Sequence, residues 1–449
     1  MTRPTPTWRA AKAVSALGVA TLALAACGGG GNNTATSPQT PAPGAATTSA
    51  ATSSSPSASA RPTTGGGGAQ ADGTLTIGTL LPQTGSLAYL GPPEFAGVDL
   101  AVKDINAAGG VLGKDVKKSD SDSSDANNPG VAPQSVDRLF GDKVDAIVGA
   151  ASSSVSLNVL EKITSAGVVQ ISPANTSNAL TTANDRNLYF RTAPPDTLQG
   201  RVLGNIIIDD GNETLGILAL QDAYGEGLAN QVEQTFKEGQ GEVVEKIIYD
   251  PKAPNFSAEV GRIKAADPDA IAVIAFEETK KIIPELQRQG IGPDKKKVYF
   301  VDGNLSDYSK DFKAGTLEGV RGTNPGADAG QSFRKRLTDL EPGLKDFVYA
   351  PESYDATVLV ALAAEAAKSD AGSAIGGKLI DVSKGGEKCT SFKDCKALLG
   401  QGKDIDYDGV SGPVEWNDKG DPSEAVIGVY SYGSDNKPVR KDSVTGKIG

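Results

Sequence analysis

From residue 73 onward, apolar and polar positions alternate between two rhythms. Short apolar runs of strand length are each followed by a stretch with apolar residues three or four apart, the spacing of one helical face. "LTIGTLLP" at 75–82 is the first strand. In "PEFAGVDLAVKDINAAGG" at 93–110, Phe95, Val98, Ala101, Val102 and Ile105 share a face, and Gly109–Gly110 end the helix. "DVKKSDSD" reads as an edge strand, "VDAIVGA" at 144–150 as a buried one, and a helix runs from Ser153 to about Ala166. "VVQIS" at 168–172 is the next strand. The alternation resumes with "TLGILALQ", "EVVEKIIYD", "AIAVIAF" and "KVYFVDG", each leading into a helical pattern. Such repetition predicts parallel α/β sheets. It has two phases, before and after about residue 195. The fold class is therefore α/β, with two doubly wound, Rossmann-like lobes. In open parallel sheets ligands sit beyond the carboxyl ends of the strands. Two such lobes face to face place the site in the cleft between them, and a hinge lets that cleft close.

The pattern before residue 73 is different. Arg3, Arg9 and Lys12 precede a short apolar run, Ala13 to Ala26, which is too short for an ordinary spanning helix and ends "LAAC". Residues 1–26 read as a signal peptide, and Cys27 resembles the lipidated cysteine of a bacterial lipoprotein. Residues 27–73 are Gly, Ser, Thr, Ala and Pro with almost no charge, so they cannot bury enough apolar surface to order themselves. A coil of this length spans roughly 35–40 Å. The expected location is the extracellular face of the cell membrane, reached through the lipid anchor, and the long tether fits a Gram-positive wall.

Composition narrows the chemistry. Net charge is −11 with no basic stripe, which argues against nucleic acid as a partner. Histidine is absent, which removes Ser-His-Asp and Cys-His catalysis and imidazole metal sites. No G-x-S-x-G elbow is present. The expectation is a protein without catalysis, cofactor or metal. Cys389 and Cys395 lie six residues apart in an exported chain, where a local disulfide is expected. The acids of "SDSDSSDANNPG" at 119–130 lack the glycine and final Glu of a calcium loop.

Candidate ligand contacts sit at the strand ends. The first strand opens into a Gly/Pro-rich loop with Tyr89 and Leu90 near its tip. The third ends at Ala151–Ser154, and the fourth leads to Ala174 and Thr176. In the second lobe, Tyr224 precedes a helix, and Glu277 and Asp302 close two further strands. Helix N-termini present free N–H groups and partial positive charge. With the hydroxyls of Ser153 and Thr176 they suit a carboxylate. Asp302 or Glu277 could take an ammonium opposite, with the ring of Tyr224 as cover. A carboxylate on one side and an ammonium on the other describe a free amino acid. Each residue alone also has a plainer reading, as an N-cap, a turn former or a packing group.

Taken together, "GSLAYLGPPEFAGVDLAVKDINAAGGVLG", "IVGAASSS", "ISPANTSNALT", "YFRTAPPDTLQG", "DAYGEGLA" and "GPVEWNDKGD" resemble the branched-chain amino-acid-type (Leu/Ile/Val) solute-binding proteins of ABC transporters. The resemblance covers about residues 74–432. It implies a type I periplasmic-binding fold with three crossovers between lobes, lobe 1 being 74–195 plus 326–424 and lobe 2 being 196–325 plus 425–449. It implies that Ser153 and Thr176 grip the ligand carboxylate, that Ala174 offers backbone groups, that Tyr224 closes over the ligand, and that an acid near Asp302 holds the ammonium. Tyr349 falls where an aromatic lines the side-chain pocket. Departures are visible: the aromatic expected at the first loop falls on Leu90, with Tyr89 one place earlier, and Phe276 is followed by two acids. These leave side-chain preference open, and family members also bind amides, urea or aromatic acids. The implied partners are a small solute and ABC permease subunits; a sensor of the same fold is the alternative. A monomer is expected.

Overall fold

The computed structural model describes residues 71–448. The signal segment, Cys27 and the tether up to residue 70 lie outside the described residues. The last tether residues are already docked: the backbone N–H groups of Asp72 and Thr74 both donate to the Asp370 carboxylate.

Five parallel strands form the first sheet, in the order β2-β1-β3-β4-β5. They are β1 (Thr76–Leu81), β2 (Lys117–Asp122), β3 (Ala146–Gly149), β4 (Val169–Ser172) and β5 (Tyr189–Arg191). Helices α1 (Gly91–Ala107), α2 (Val131–Gly141) and α3 (Ser153–Ser165) connect them. The order reverses between β1 and β3, so the loops after these two strands diverge and leave a crevice there.

The chain then enters a second sheet through α4 (Asp196–Asp209). Its parallel part is β6 (Thr214–Leu220), β7 (Glu242–Tyr249), β8 (Ala270–Ile274), β9 (Lys297–Phe300) and β10 (Arg321–Pro325), with α5 (Ala223–Glu238), α6 (Ser257–Ala266) and α7 (Thr279–Arg288) between strands. The strand order is β15-β14-β10-β9-β8-β6-β7, with its own reversal between β6 and β8. Strands β14 (Glu424–Tyr432) and β15 (Pro438–Lys447) add an antiparallel hairpin at one edge. The sheet is therefore mixed, not wholly parallel. The alternation read from the sequence misses this hairpin because β15, "PVRKDSVTGK", is an edge strand whose two faces are both largely polar.

Between β10 and β14 the chain returns to the first lobe as α8 (Gly330–Leu340), α9 (Ala350–Ala367), α10 (Gly372–Val382) and α11 (Phe392–Gly400), with a small sheet of β11 (Glu387–Cys389), β12 (Ile405–Gly409) and β13 (Gly412–Pro413). Three crossings thus join the two sheets. Helix α9 is buried along nearly its whole length, as an apolar helix must be when neighbours cover every side. Leu100, Ala101 and Ile105 of α1 share its core with Val358, Leu362, Ile375 and Trp416. A disulfide joins Cys389 to Cys395 beside that core.

One buried acid near the crossing after β10 carries a measurable consequence. Glu352 is buried in the first turn of α9, and a side chain at Gly326 would strike its carboxyl oxygen. Burial, reinforced by the nearby charge of Asp355, pushes Glu352 up to about 8. Its ordinary value is about 4.3. An acid raised on folding contributes stability that is complete below the unfolded value and is lost as pH climbs through the folded one. Glu352→Gln stays neutral throughout. Its melting temperature should gain on wild type by roughly 2 °C or more at pH 9 and show no gain at pH 4. Melting curves at the two pH values decide this; an equal offset at both would rule out titration as the cause.

Candidate functional site

The two reversal points face one another. From the first sheet come Leu87 and Leu90 after β1, Ala151, Ser152 and Ser153 after β3, and Ala174 after β4; from the second come Tyr224 after β6, Phe276 after β8, and Asp302 with Gly303 after β9; Tyr349 reaches in just ahead of α9. They enclose a cavity of about 20 Å³, on the scale of one or two waters. Leu87, Leu90, Ala151, Ala174 and Tyr349 belong to the same apolar cluster as the second lobe's core, so the lobes are closed on each other.

The three serines that open α3 have three different jobs. Ser152 is the N-cap, its hydroxyl accepting from the Val155 N–H. Ser153 lines the cavity and accepts from the Ser177 N–H at 3.2 Å. Ser154 points across the cleft to α5. The strand can deliver them there because Gly149 has φ +128, and a Cβ at that position would come within 2.1 Å of the Leu80 carbonyl oxygen.

Asp302 is the polar centre on the second-lobe side. It is 6% exposed. The Tyr224 hydroxyl donates to Oδ1 at 2.7 Å, the Gln199 amide to Oδ1 at 2.8 Å, and the Tyr349 hydroxyl to Oδ2 at 2.7 Å. Burial holds its carboxyl above the ordinary range, against the pull of these donors. Tyr224 stacks on Phe276 with centroids 5.3 Å apart, which fixes the ring over the cavity. Tyr349 sits at φ +60, a left-handed conformation costly for a bulky residue. That backbone brings its hydroxyl to Asp302.

One buried acid, behind the cavity and outside its lining, was not picked out from the sequence. Asp196, the first residue of α4, is fully buried and both its carboxylate oxygens lack a hydrogen-bond partner. Its backbone N–H donates to the Thr176 carbonyl, and the Thr176 hydroxyl, also without a partner, lies nearby. Burial first, and then the charge of Asp302, push Asp196 well above the ordinary carboxylate range. In the sequence it stands in "PPDTLQG", where an acid in a helix's first turn reads as a dipole partner.

Two assignments are corrected. Glu277 is exposed, pairs with Lys280 at 2.9 Å and does not line the cavity. Its neighbour Glu278 turns inward instead, but only to accept from the Phe276 N–H. Tyr89 does not line the cavity either; its hydroxyl donates to the Gly303 carbonyl across the cleft at 2.7 Å, and Leu90 takes the inward place. Ser153, Ala174, Tyr224, Asp302, Leu90 and Tyr349 are brought together, with Thr176 buried behind them.

No Lys or Arg lines this cavity. The nearby Arg191 is fully engaged elsewhere: it pairs with Asp421 at 2.6 Å and donates to the Asn175 and Ser177 carbonyls and to the Thr181 hydroxyl.

Two α/β lobes with three crossings, closed over a small cavity built from helix N-termini and strand ends, define a two-lobe solute-binding protein. The chain belongs to the periplasmic binding protein family, whose model matches residues 74–421. It is 28% identical over 355 residues to the chemotactic signal transduction system substrate-binding protein BasB of Halobacterium salinarum, covering 76% of this chain and 83% of that one. Its fold is shared with the branched-chain amino acid transporter substrate-binding protein LivJ of Streptococcus pneumoniae, solved with isoleucine (TM-score 0.67, 23% identity, 84% of this chain and all of that one). It is shared equally with an ABC transporter solute-binding protein of R. palustris solved with 4-hydroxybenzoate (TM-score 0.68, 18% identity, 83% of this chain and 97% of that one).

Proposed function

We propose that the protein captures a free α-amino acid with an apolar side chain and passes it to an ABC permease, working at the outer face of the membrane from a lipid anchor on Cys27. The observation that carries the ligand class is the pair Asp302 and Asp196. Both are buried, the charge of Asp302 adds to the cost of ionising Asp196, and no basic side chain lines the cavity. A buried carboxylate without a cation is expensive. An ammonium from the ligand supplies the cation. Opposite, Ser153, Thr176 and the free N–H groups at the start of α3 suit the ligand carboxylate, and Leu87, Leu90, Phe276 and Tyr349 suit an aliphatic side chain. A benzoate-type acid uses the second half of this site and leaves both acids without a cation. The likeness to BasB favours a second recipient, a signalling receptor, for the same captured ligand; binding of the leucine-loaded protein to a co-expressed permease complex separates the two.

Proton linkage tests the reading. In the ligand-free protein both acids sit above their ordinary range, and an ammonium beside them draws them down. Leucine binding therefore releases protons, and affinity rises as pH climbs from the ordinary carboxylate range through the raised values. Calorimetric titration of leucine at a series of pH values from about 4 to 8, in buffers of different ionisation enthalpy, reads this directly. Proton uptake, or none, would reject the two-acid ammonium site.

A further inference from the structure

We propose that Gln199 is a positioning residue for Asp302, holding charge on that carboxylate and steering its proton to the oxygen that faces Tyr349. The role of Gln199 in capture rests on the amino-acid reading, because an ammonium needs an ionised partner; its action on Asp302 does not. Gln199 does not line the cavity. It lies one turn into α4, fully buried, three residues after Asp196 and on the same side of the helix.

Its amide can face only one way. Nε2 lies 3.4 Å from the Thr323 carbonyl oxygen and 3.3 Å from the Thr323 hydroxyl, in β10. A carbonyl only accepts, so turning the amide over would set two oxygens against each other. The other N–H of the amide is left to point at Asp302, and it donates to Oδ1 at 2.8 Å. This aim is kept at a cost, since Gln199 Oε1 is buried without a partner.

The remaining side-chain donors to Asp302 are of a different kind. The Tyr224 hydroxyl donates to Oδ1 and the Tyr349 hydroxyl to Oδ2, each at 2.7 Å. A hydroxyl can turn and accept, whereas an amide N–H can only donate. Oδ1 therefore has two donors, one of which cannot turn, and Oδ2 has a single donor that can. A proton on Asp302 goes to Oδ2, where the Tyr349 hydroxyl reverses to accept it. The other titratable groups facing Asp302 are Asp196 at the start of α4 and Tyr89 after β1, and neither brings a positive charge. Gln199 is thus the donor that favours the carboxylate over the acid and cannot adapt to the acid.

Removing this donor disfavours the ionised form, so Asp302 should ionise at a higher pH. The pH at which leucine affinity rises should move with it. Both midpoints should climb by about one pH unit or more, the strength of a hydrogen bond to a charged group. Above the displaced midpoint, leucine affinity should return to that of wild type, because the ligand meets the same carboxylate.

The test uses the full chain, isotope-labelled at the aspartate carboxyls, as wild type, Gln199→Met and Gln199→Leu. Both substitutions are apolar and close in volume. NMR titration follows the Asp302 carboxyl, assigned as the signal missing from Asp302→Asn, and calorimetry follows leucine over the same pH range. The expected result is an upward displacement of the Asp302 midpoint in both variants, matched by the leucine profile. An Asp302 signal that titrates as in wild type in both variants would overturn the proposal. So would leucine binding weakened equally at every pH with no displaced midpoint, since altered packing would then be the cause. A displaced Asp302 signal with no leucine binding to any chain, wild type included, would overturn the amino-acid reading and leave the action of Gln199 on Asp302 supported.

Discussion

Asp302→Ala should lower the affinity for leucine by at least about 30-fold. Removing one partner of a buried, hydrogen-bonded charge pair costs about 2–5 kcal/mol, and each 1.4 kcal/mol is tenfold. The loss has two parts. The ligand ammonium would keep only Asp196, whose oxygens lie on the Thr176 side. The Tyr224 and Tyr349 hydroxyls and the Gln199 amide would lose the acceptor they now share. Asp302→Asn keeps an acceptor oxygen and removes the charge, so its affinity should fall between those of Ala and wild type. Folding stability should fall as well in Asp302→Ala, because three buried donors are left without their acceptor. Calorimetric titration of the three proteins with leucine measures this. Equal affinity in Asp302→Asn and wild type would show that the charge is not what the ligand reads.

The largest effect on stability is expected at Asp421. Its ion pair with Arg191 is dry, with the two side chains 0% and 1% exposed. Asp421→Ala leaves a guanidinium buried without its counter-charge, at a cost of about 3–5 kcal/mol. The site would feel it too. Arg191 holds the carbonyls of Asn175 and Ser177, in the loop that carries Ala174 and Thr176, and its own carbonyl accepts from the Trp416 indole. Replacing both partners together, Arg191→Met with Asp421→Leu, removes the uncompensated charge and should recover a good part of the loss. Denaturant unfolding of the two variants reads both numbers. If the double variant is as unstable as Asp421→Ala, the loss comes from the hydrogen bonds to the loop, not from the charge.

Much of this architecture is legible in the residues because periodicity survives burial. The runs that became β1, β3, β6 and β8 are apolar and short, and each is followed by a helical spacing. Ser153, Tyr224 and Asp302 could be placed at the cleft because ligands lie at strand ends in such sheets. Strand β15 could not, since its polar faces carry no alternation. Asp196 was hidden for a different reason. An acid in a helix's first turn is usually an exposed dipole partner, and nothing local shows that this turn faces a closed cleft. Glu277 was misplaced because adjacent acids cannot both turn inward, and the sequence does not say which one does. Ser154 and Ser177 are the same case in a long-range form: their partner Ala223 lies 69 and 46 residues away.

Selection of an ammonium by the buried acids can be read from one pair of compounds. Leucine and 4-methylpentanoate share a carboxylate and a side chain and differ by the amine alone. Thermal unfolding of the full chain at pH 7.5 against each compound compares them. A rise in melting temperature is expected with leucine, corresponding to about 2.7 kcal/mol at 100 times its dissociation constant, and none with 4-methylpentanoate at the same concentration. An equal rise with both would contradict it, and would make this a carboxylate binder in which Asp302 and Asp196 stay protonated.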